Sequence, residues 1–264
     1  MNRVAAGKPD ALLLSRIEDA GLNASAPPQQ RWVDGWLVRF SPGKAKRARC
    51  VQPVASGRLP IADKLAFAAQ VYDDARLPMV VRITPFAQPR GLDAHLRSDG
   101  WMAVDDTRVM VAALAGKPRV EALPRGLSFE RLGVAAFAHA VGTLRGSPLA
   151  QREAHAQRLE AAPVPFVPLA IRRRADGALL ACGQFTREAD LAGLYDVFVA
   201  PEWRGRGLAR RLCARLLALA RADGAGTAYL QVDAINTPAR AVYARLGFAD
   251  AYAYHYRVRP GDAA

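Results

Sequence analysis

With 264 residues, 51 % of them hydrophobic and 23 % charged, the chain is long enough for one large domain or two small ones and too apolar to be disordered as a whole. Thirty-seven Lys and Arg against 24 Asp and Glu leave a net charge of +13, which suits nucleic acid, an anionic membrane or a polyphosphate-bearing ligand and carries no information about fold. Cys50, Cys182 and Cys213 lie far apart without a C-x-x-C pair, which argues against a disulfide framework or zinc site and makes a reducing, cytoplasmic setting the expectation.

At the N-terminus, the apolar triplet at 12–14 is too short for a signal peptide, and no stretch of the chain approaches the ~18 apolar residues of a membrane span. The basic stretch 116–126, with its Pro and Gly, reads as a linker, so the expected units are residues 1–120 and 121–264. Beyond it, 127–132 predict a strand, and the Ala-rich 133–160 is helical with a break at Gly146-Ser147-Pro148. Strands follow at 166–173, 178–187 and 191–200, with Ala175-Asp176-Gly177 as the first turn. Leu208, Leu212, Leu216 and Leu219 then recur at helical spacing and mark an amphipathic helix ending near Gly224. A β-rich run at 227–232 precedes a second helix with Thr237 as N-cap and Pro238 at the first helical position. Gly247 stops that helix, and the alternating 248–258 closes the chain as a strand. Strands alternating with helices predict a mixed α/β protein.

The N-terminal half repeats this plan faintly at an offset of 147 residues, which sets 51–60 on 198–207, 61–72 on 208–219 and 80–83 on 227–230. Asp99-Gly100-Trp101 falls on Leu246-Gly247-Phe248 at the same offset.

Residues 199–209 join a strand to a helix through a loop with two glycines. Glycines let backbone approach a ligand closely, and the N–H groups opening the helix form an anion site suited to phosphate. The loop lacks the G-x-x-x-x-G-K-[ST] of a P-loop, and Arg210 stands where a dinucleotide fingerprint has its third glycine. No G-x-S-x-G or H-E-x-x-H appears, which weakens hydrolase and metal readings.

Residues 204–209 fit the R/Q-x-x-G-x-G/A pyrophosphate loop of GNAT-type N-acetyltransferases, and the preceding strand and V-x-P step resemble that family too. Asn236, a helix bearing Tyr243 and then Gly247-Phe248 are similar to its second signature. The resemblance spans 127–258 and extends to members with a degenerate first copy. It implies two GNAT-like domains, each a mixed, mostly antiparallel sheet flanked by helices: 1–120 without a cofactor loop and 121–264 catalytic.

The resemblance further implies acetyl-CoA as co-substrate, no metal, and direct acetyl transfer to a primary amine on a small molecule or peptide. The pyrophosphate would rest on the N–H groups of Gly205, Arg206, Gly207, Leu208 and Ala209, with Arg204 and Arg206 adding charge. The pantetheine arm would pair with the strand edge at 197–199, and a backbone N–H at Phe198 or Val199 would meet the oxyanion. Tyr243 stands at the general-acid position, and Asn236 would bind the cofactor or cap its helix. Asp196 is the candidate base, on a face that alternation shares with Leu194 and Phe198. The alternatives are a water chain or His255, while His139 and His155 are expected at the surface.

Two other functions fit parts of the sequence. Tyr243 and Asn236 argue against a non-catalytic acyl-CoA sensor. A nucleic-acid-binding protein would use Lys44-Ala45-Lys46-Arg47-Ala48-Arg49 and Arg172-Arg173-Arg174, but neither run has interleaved aromatics. Both read as solvated faces, with Arg47 and Arg49 as candidates to recognise an anionic substrate. Neither nucleic acid nor a membrane is the expected partner.

Overall fold

The computed structural model describes residues 10–42, 45–116 and 120–262; Lys44 of the basic run and 117–119 of the expected linker lie outside them. The N-terminal half contains α1 (Ala11–Ala24), β1 (Gln30–Val33), β2 (Trp36–Arg39), β3 (Val51–Pro53), α2 (Ile61–Asp74), β4 (Val80–Ile83), α3 (Leu92–Ser98) and β5 (Met102–Ala113). The C-terminal half adds β6 (Leu127–Arg131), α4 (Val134–Leu144), α5 (Leu149–Glu160), β7 (Phe166–Arg173), β8 (Leu179–Glu188) and β9 (Leu191–Val199). It closes with α6 (Leu208–Ala222), β10 (Thr227–Asp233), α7 (Thr237–Arg245) and β11 (Ala249–Val258).

The apolar stripe of α6 works as its spacing predicts: Leu208, Leu212 and Leu216 are buried in a cluster with Ile171, Leu180 and Phe185. On the other face of the sheet Ala170 and Cys182 pack with Phe137 and Val141 of α4. The cap of α7 differs from expectation by one residue. Asn236, not Thr237, precedes the helix, and its Oδ1 accepts the Ala239 N–H at 3.2 Å, satisfying one of the orphan donors of the first turn.

The eleven strands among the described residues form one sheet in the order β1-β2-β3-β4-β11-β5-β10-β9-β8-β7-β6. The sheets expected for the two halves are thus continuous, and the joint is an exchange. Strand β5 of the first half lies between β11 and β10, while β11 of the second half lies between β4 and β5. These two strands run antiparallel, with Ala249 opposite Val111 and Val258 opposite Met102. The 147-residue offset converts one of these pairs into the other, so the joint has an approximate twofold relation. The same offset separates the first residues of α2 and α6, and of β4 and β10.

A fragment of residues 121–264 would expose the edges of β10 and β11 that β5 covers in the whole chain. It should aggregate or lack a cooperative melting transition, and co-expression with residues 1–120 should restore both solubility and cooperativity. Size-exclusion chromatography and thermal denaturation check this; a monomeric fragment with a sharp transition would show the exchange to be dispensable.

Candidate functional site

Strands β9 and β10 pair in parallel only over Leu191 to Leu194 and Thr227 to Leu230. The divergence beyond that point originates in β9. Tyr195 stands opposite Gln184 and Phe198 opposite Cys182, so residues 196 and 197 together face Gly183 alone, which makes a β-bulge. Asp196 takes a φ of 52°, a left-handed conformation that Asp tolerates better than most residues. The alternation that placed Asp196 with Leu194 and Phe198 therefore fails at this bulge. Between the diverging strands lies a cavity of about 300 Å³, lined among others by Val197, Gln231, Asn236 and Tyr243. A second cavity of about 250 Å³ shares Ala45, Arg145, Arg158 and Asp196 with it, which marks where the two meet.

The backbone beside the cavity is directional. Ala200 donates its N–H to Leu180 O at 2.9 Å, so by the two-residue period of a strand Phe198 N–H points towards β8 and Val199 N–H points away from it. Of the two oxyanion candidates, Val199 thus faces the open side. Its carbonyl on that side accepts from Arg204 Nε at 3.3 Å.

The glycine loop stands beside the cavity rather than within its lining. Gly205 and Gly207 have φ values of 74° and 71°, and Gly207 is the residue before α6, with no side chain capping the helix. Among the described residues, no acceptor is bound to the backbone N–H groups of 205–209. Arg204 and Arg206 lie over the rings of Phe198 and Trp203, at 5.4 and 4.5 Å from the centroids, and neither joins an ion pair with the described residues. Free N–H groups at a helix start beside two guanidiniums are chemically suited to an anion.

The equivalent loop of the first half, 54–60, is filled by its own chain. The Asp34-Gly35 turn between β1 and β2, with both φ values positive, presents the Asp34 carboxylate to the loop. Arg58 and Leu59 donate their N–H groups to it at 2.8–3.0 Å, and these hydrogen bonds hold its pKa below the ordinary range. The next residue, Pro60, has no N–H to offer.

Tyr243 is half-buried beside Phe248, and its hydroxyl makes no hydrogen bond with the described residues. Burial pushes its pKa above the usual phenol value, so the hydroxyl keeps its proton at neutral pH.

Asp196 has three close partners. Gln184 Nε2 donates to it at 2.9 Å, Arg145 at 3.0 Å, and His155 Nε2 lies 3.2 Å away. Burial alone would raise the carboxyl's pKa, but His155 first, then Arg145 and Arg158, outweigh it and hold it well below the carboxylate range. His155, expected at the surface, is instead mostly buried on the cavity wall. His255 pairs with Asp93 at 2.9 Å and lies outside the cavity that holds Tyr243. Arg47, read as a solvated residue or a substrate contact, lines that cavity from the first half and donates to Gln231 Oε1 at 2.5 Å. No helix among the described residues is long and apolar enough to cross a membrane.

Residues 137–248 match the model of the Acetyltransferase (GNAT) family. An uncharacterized N-acetyltransferase of Bacillus subtilis (strain 168), YobR, is 26 % identical over 232 residues, which is 87 % of this chain and 92 % of that protein. In fold the chain is similar to a GCN5-related N-acetyltransferase from Kribbella flavida, with a TM-score of 0.66 at 18 % identity over 94 % of this chain and 96 % of that one. It is also similar to a tandem GNAT protein from the clavulanic acid biosynthesis pathway, with a TM-score of 0.63 at 20 % identity over 98 % and 92 % of the two chains.

Asp196→Asn keeps a residue that tolerates the left-handed backbone but removes the charge that faces Arg145 and His155. It should destabilise the protein by about 3–5 kcal/mol at neutral pH, as expected when a buried ion pair loses one partner. Because the folded carboxyl titrates below its unfolded value of ~3.9, this stabilisation is complete above that pH and is lost as the pH falls below it. In denaturant melts of both proteins between neutral pH and pH ~2 the difference should therefore narrow towards the acid end. A difference that stays constant across that range would show that the carboxylate is not held by these cations.

Proposed function

We propose, for a chain whose residues 137–248 match the acetyltransferase (GNAT) family model, that its C-terminal half moves an acetyl group from acetyl-CoA to a primary amine by direct attack between β9 and β10. The observation that carries this reading is the open N–H loop at 205–209 beside the cavity that holds Tyr243.

Acetyl-CoA brings an activated thioester and a pyrophosphate. The N–H groups of 205–209 would bind the pyrophosphate, with Arg204 and Arg206 supplying charge. Val199 N–H, facing the open side of β9, would pair with the pantetheine amides or meet the developing oxyanion. Asn236 caps α7 and through it sets the position of Tyr243.

Tyr243 would donate its proton towards the departing sulfur. A thiol titrates near ~8.5, below a buried phenol, so the hydroxyl acts more through a hydrogen bond to the developing thiolate than through complete transfer. The low basicity of Asp196 supports a positioning role for its carboxylate, with the amine attacking in its neutral form. On this reading Tyr243→Phe leaves acetyl-CoA affinity within about twofold and lowers kcat by about 10²-fold, the low end for acid–base catalysis. Calorimetry and thiol release measure the two, and an unchanged kcat where chemistry limits the rate would return Tyr243 to a packing role.

The first half supports one cofactor per chain. Asp34 already occupies its loop, Pro60 removes a donor, and Leu96, at the position matching Tyr243, is a buried core residue without a proton to give. Titration of the whole chain with acetyl-CoA should give a stoichiometry of one. A stoichiometry of two would make both halves working sites.

A further inference from the structure

The cavity walls carry more positive charge than the protein itself neutralises. Arg47, Arg145, Arg152 and Arg158 line the two joined cavities, against the carboxylates of Asp196 and Asp233. Both carboxylates are engaged: Asp196 by Arg145, His155 and Gln184, and Asp233 by the Ile235 N–H at 3.0 Å.

Arg47 and Arg158 are left without an ion pair among the described residues, although both are at most partly exposed. Arg47 donates to Gln231 and, at 3.3 Å, to the Tyr254 hydroxyl, while its Nε is buried with no partner. Arg158 donates to Ala24 O at 3.5 Å and feels the field of Asp196, a carboxylate that Arg145, His155 and Gln184 already engage. A guanidinium does not give up its proton, so withdrawing it from water without a counter-charge is costly. Glu18 supplies that counter-charge for the buried Arg82, and Asp93 for Arg257. Arg39, also buried and without an ion pair among the described residues, has its guanidinium bound by neutral acceptors on Gln30, Ser25 and Leu22, whereas Arg47 and Arg158 face the cavities with few acceptors.

We infer that the acceptor is a small amine that also carries an oxyanion, a carboxylate or a phosphate, and that Arg47 and Arg158 receive this group. This rests on the acetyl-transfer reading for which end of the molecule reacts. The planar fork of Arg matches both oxyanions, and neutral Gln231 and Tyr254 hold Arg47 in place without neutralising it. Polycationic amines are disfavoured by the same surplus. Arg47 comes from the first half, so that half, whose own phosphate loop is filled, contributes to acceptor selection.

The test is calorimetry of the full chain saturated with CoA, using matched pairs: glycine against glycinamide, and phosphoethanolamine against ethanolamine, with kanamycin as a polycation. At least one anionic member should bind about tenfold or more tightly than its neutral partner, and the pair that responds identifies the oxyanion. Arg47→Gln and Arg158→Gln should each remove most of that advantage while acetyl-CoA affinity and the neutral partner's affinity stay unchanged. If Arg47→Gln does not fold, Arg158→Gln carries the comparison alone. Equal or stronger binding of the neutral or polycationic amines, no binding by either anionic member, or a loss that strikes both members of a pair equally would overturn the inference. Failure to bind acetyl-CoA would instead overturn the acetyl-transfer reading, while the oxyanion comparison, read on the free protein, would still decide the present one.

Discussion

Strands β5 and β11 lie side by side in the sheet, each inserted against strands of the other half. Main-chain N–H and C=O groups in a sheet must be paired or left to water, and here each half closes the other's exposed edge. Because β10 is pinned along Asp233 to Thr227 by β5, it stays in the sheet while β9 bends away. The cleft between them is therefore a product of the exchange: one wall is held by the first half and the other is bent by its own bulge.

The bulge and the glycine loop act on the same strand at two points. At Asp196 an extra residue turns β9 outward and sets a carboxylate on the cavity wall. At the far end two glycines in left-handed conformation lead into α6, whose first N–H groups have no partner among the described residues. The corresponding loop of the first half shows how readily such a site is closed. One aspartate on a two-residue turn satisfies the same type of donors, and a Cβ on Gly57 would fall 2.1 Å from that carboxylate. The two loops thus differ in whether their helix-start donors are free among the described residues or used internally.

Charge follows a similar division. Of the buried or partly buried arginines, Arg82 and Arg257 are matched to carboxylates from distant elements, Arg39 is held by neutral acceptors, and Arg47 and Arg158 line the cavity where the two halves meet. The short turn at Lys46–Ala48 carries Arg47 of the first half onto the cavity wall.

Local pattern alone was enough for the elements from 127 onward, for the glycine loop and for the helix that carries Tyr243, because helix periodicity, strand alternation and glycine turns act over a few residues. The 147-residue offset was legible for the same reason. What sequence pattern could not supply is which strands become neighbours: the pairing of β5 with β11 joins residues over a hundred positions apart, and either half reads equally well as a closed sheet of its own. The bulge at Asp196 was hidden because an extra residue leaves no mark in composition. Asp34 in its loop, His155 against Asp196, and Arg47 beside Gln231 and Tyr254 were hidden because burial and charge compensation depend on groups brought together only when the whole sheet forms. The sequence by itself determined the elements and the loop chemistry, since both are encoded within a few residues; the tertiary structure alone decided the cleft, its walls and its charge.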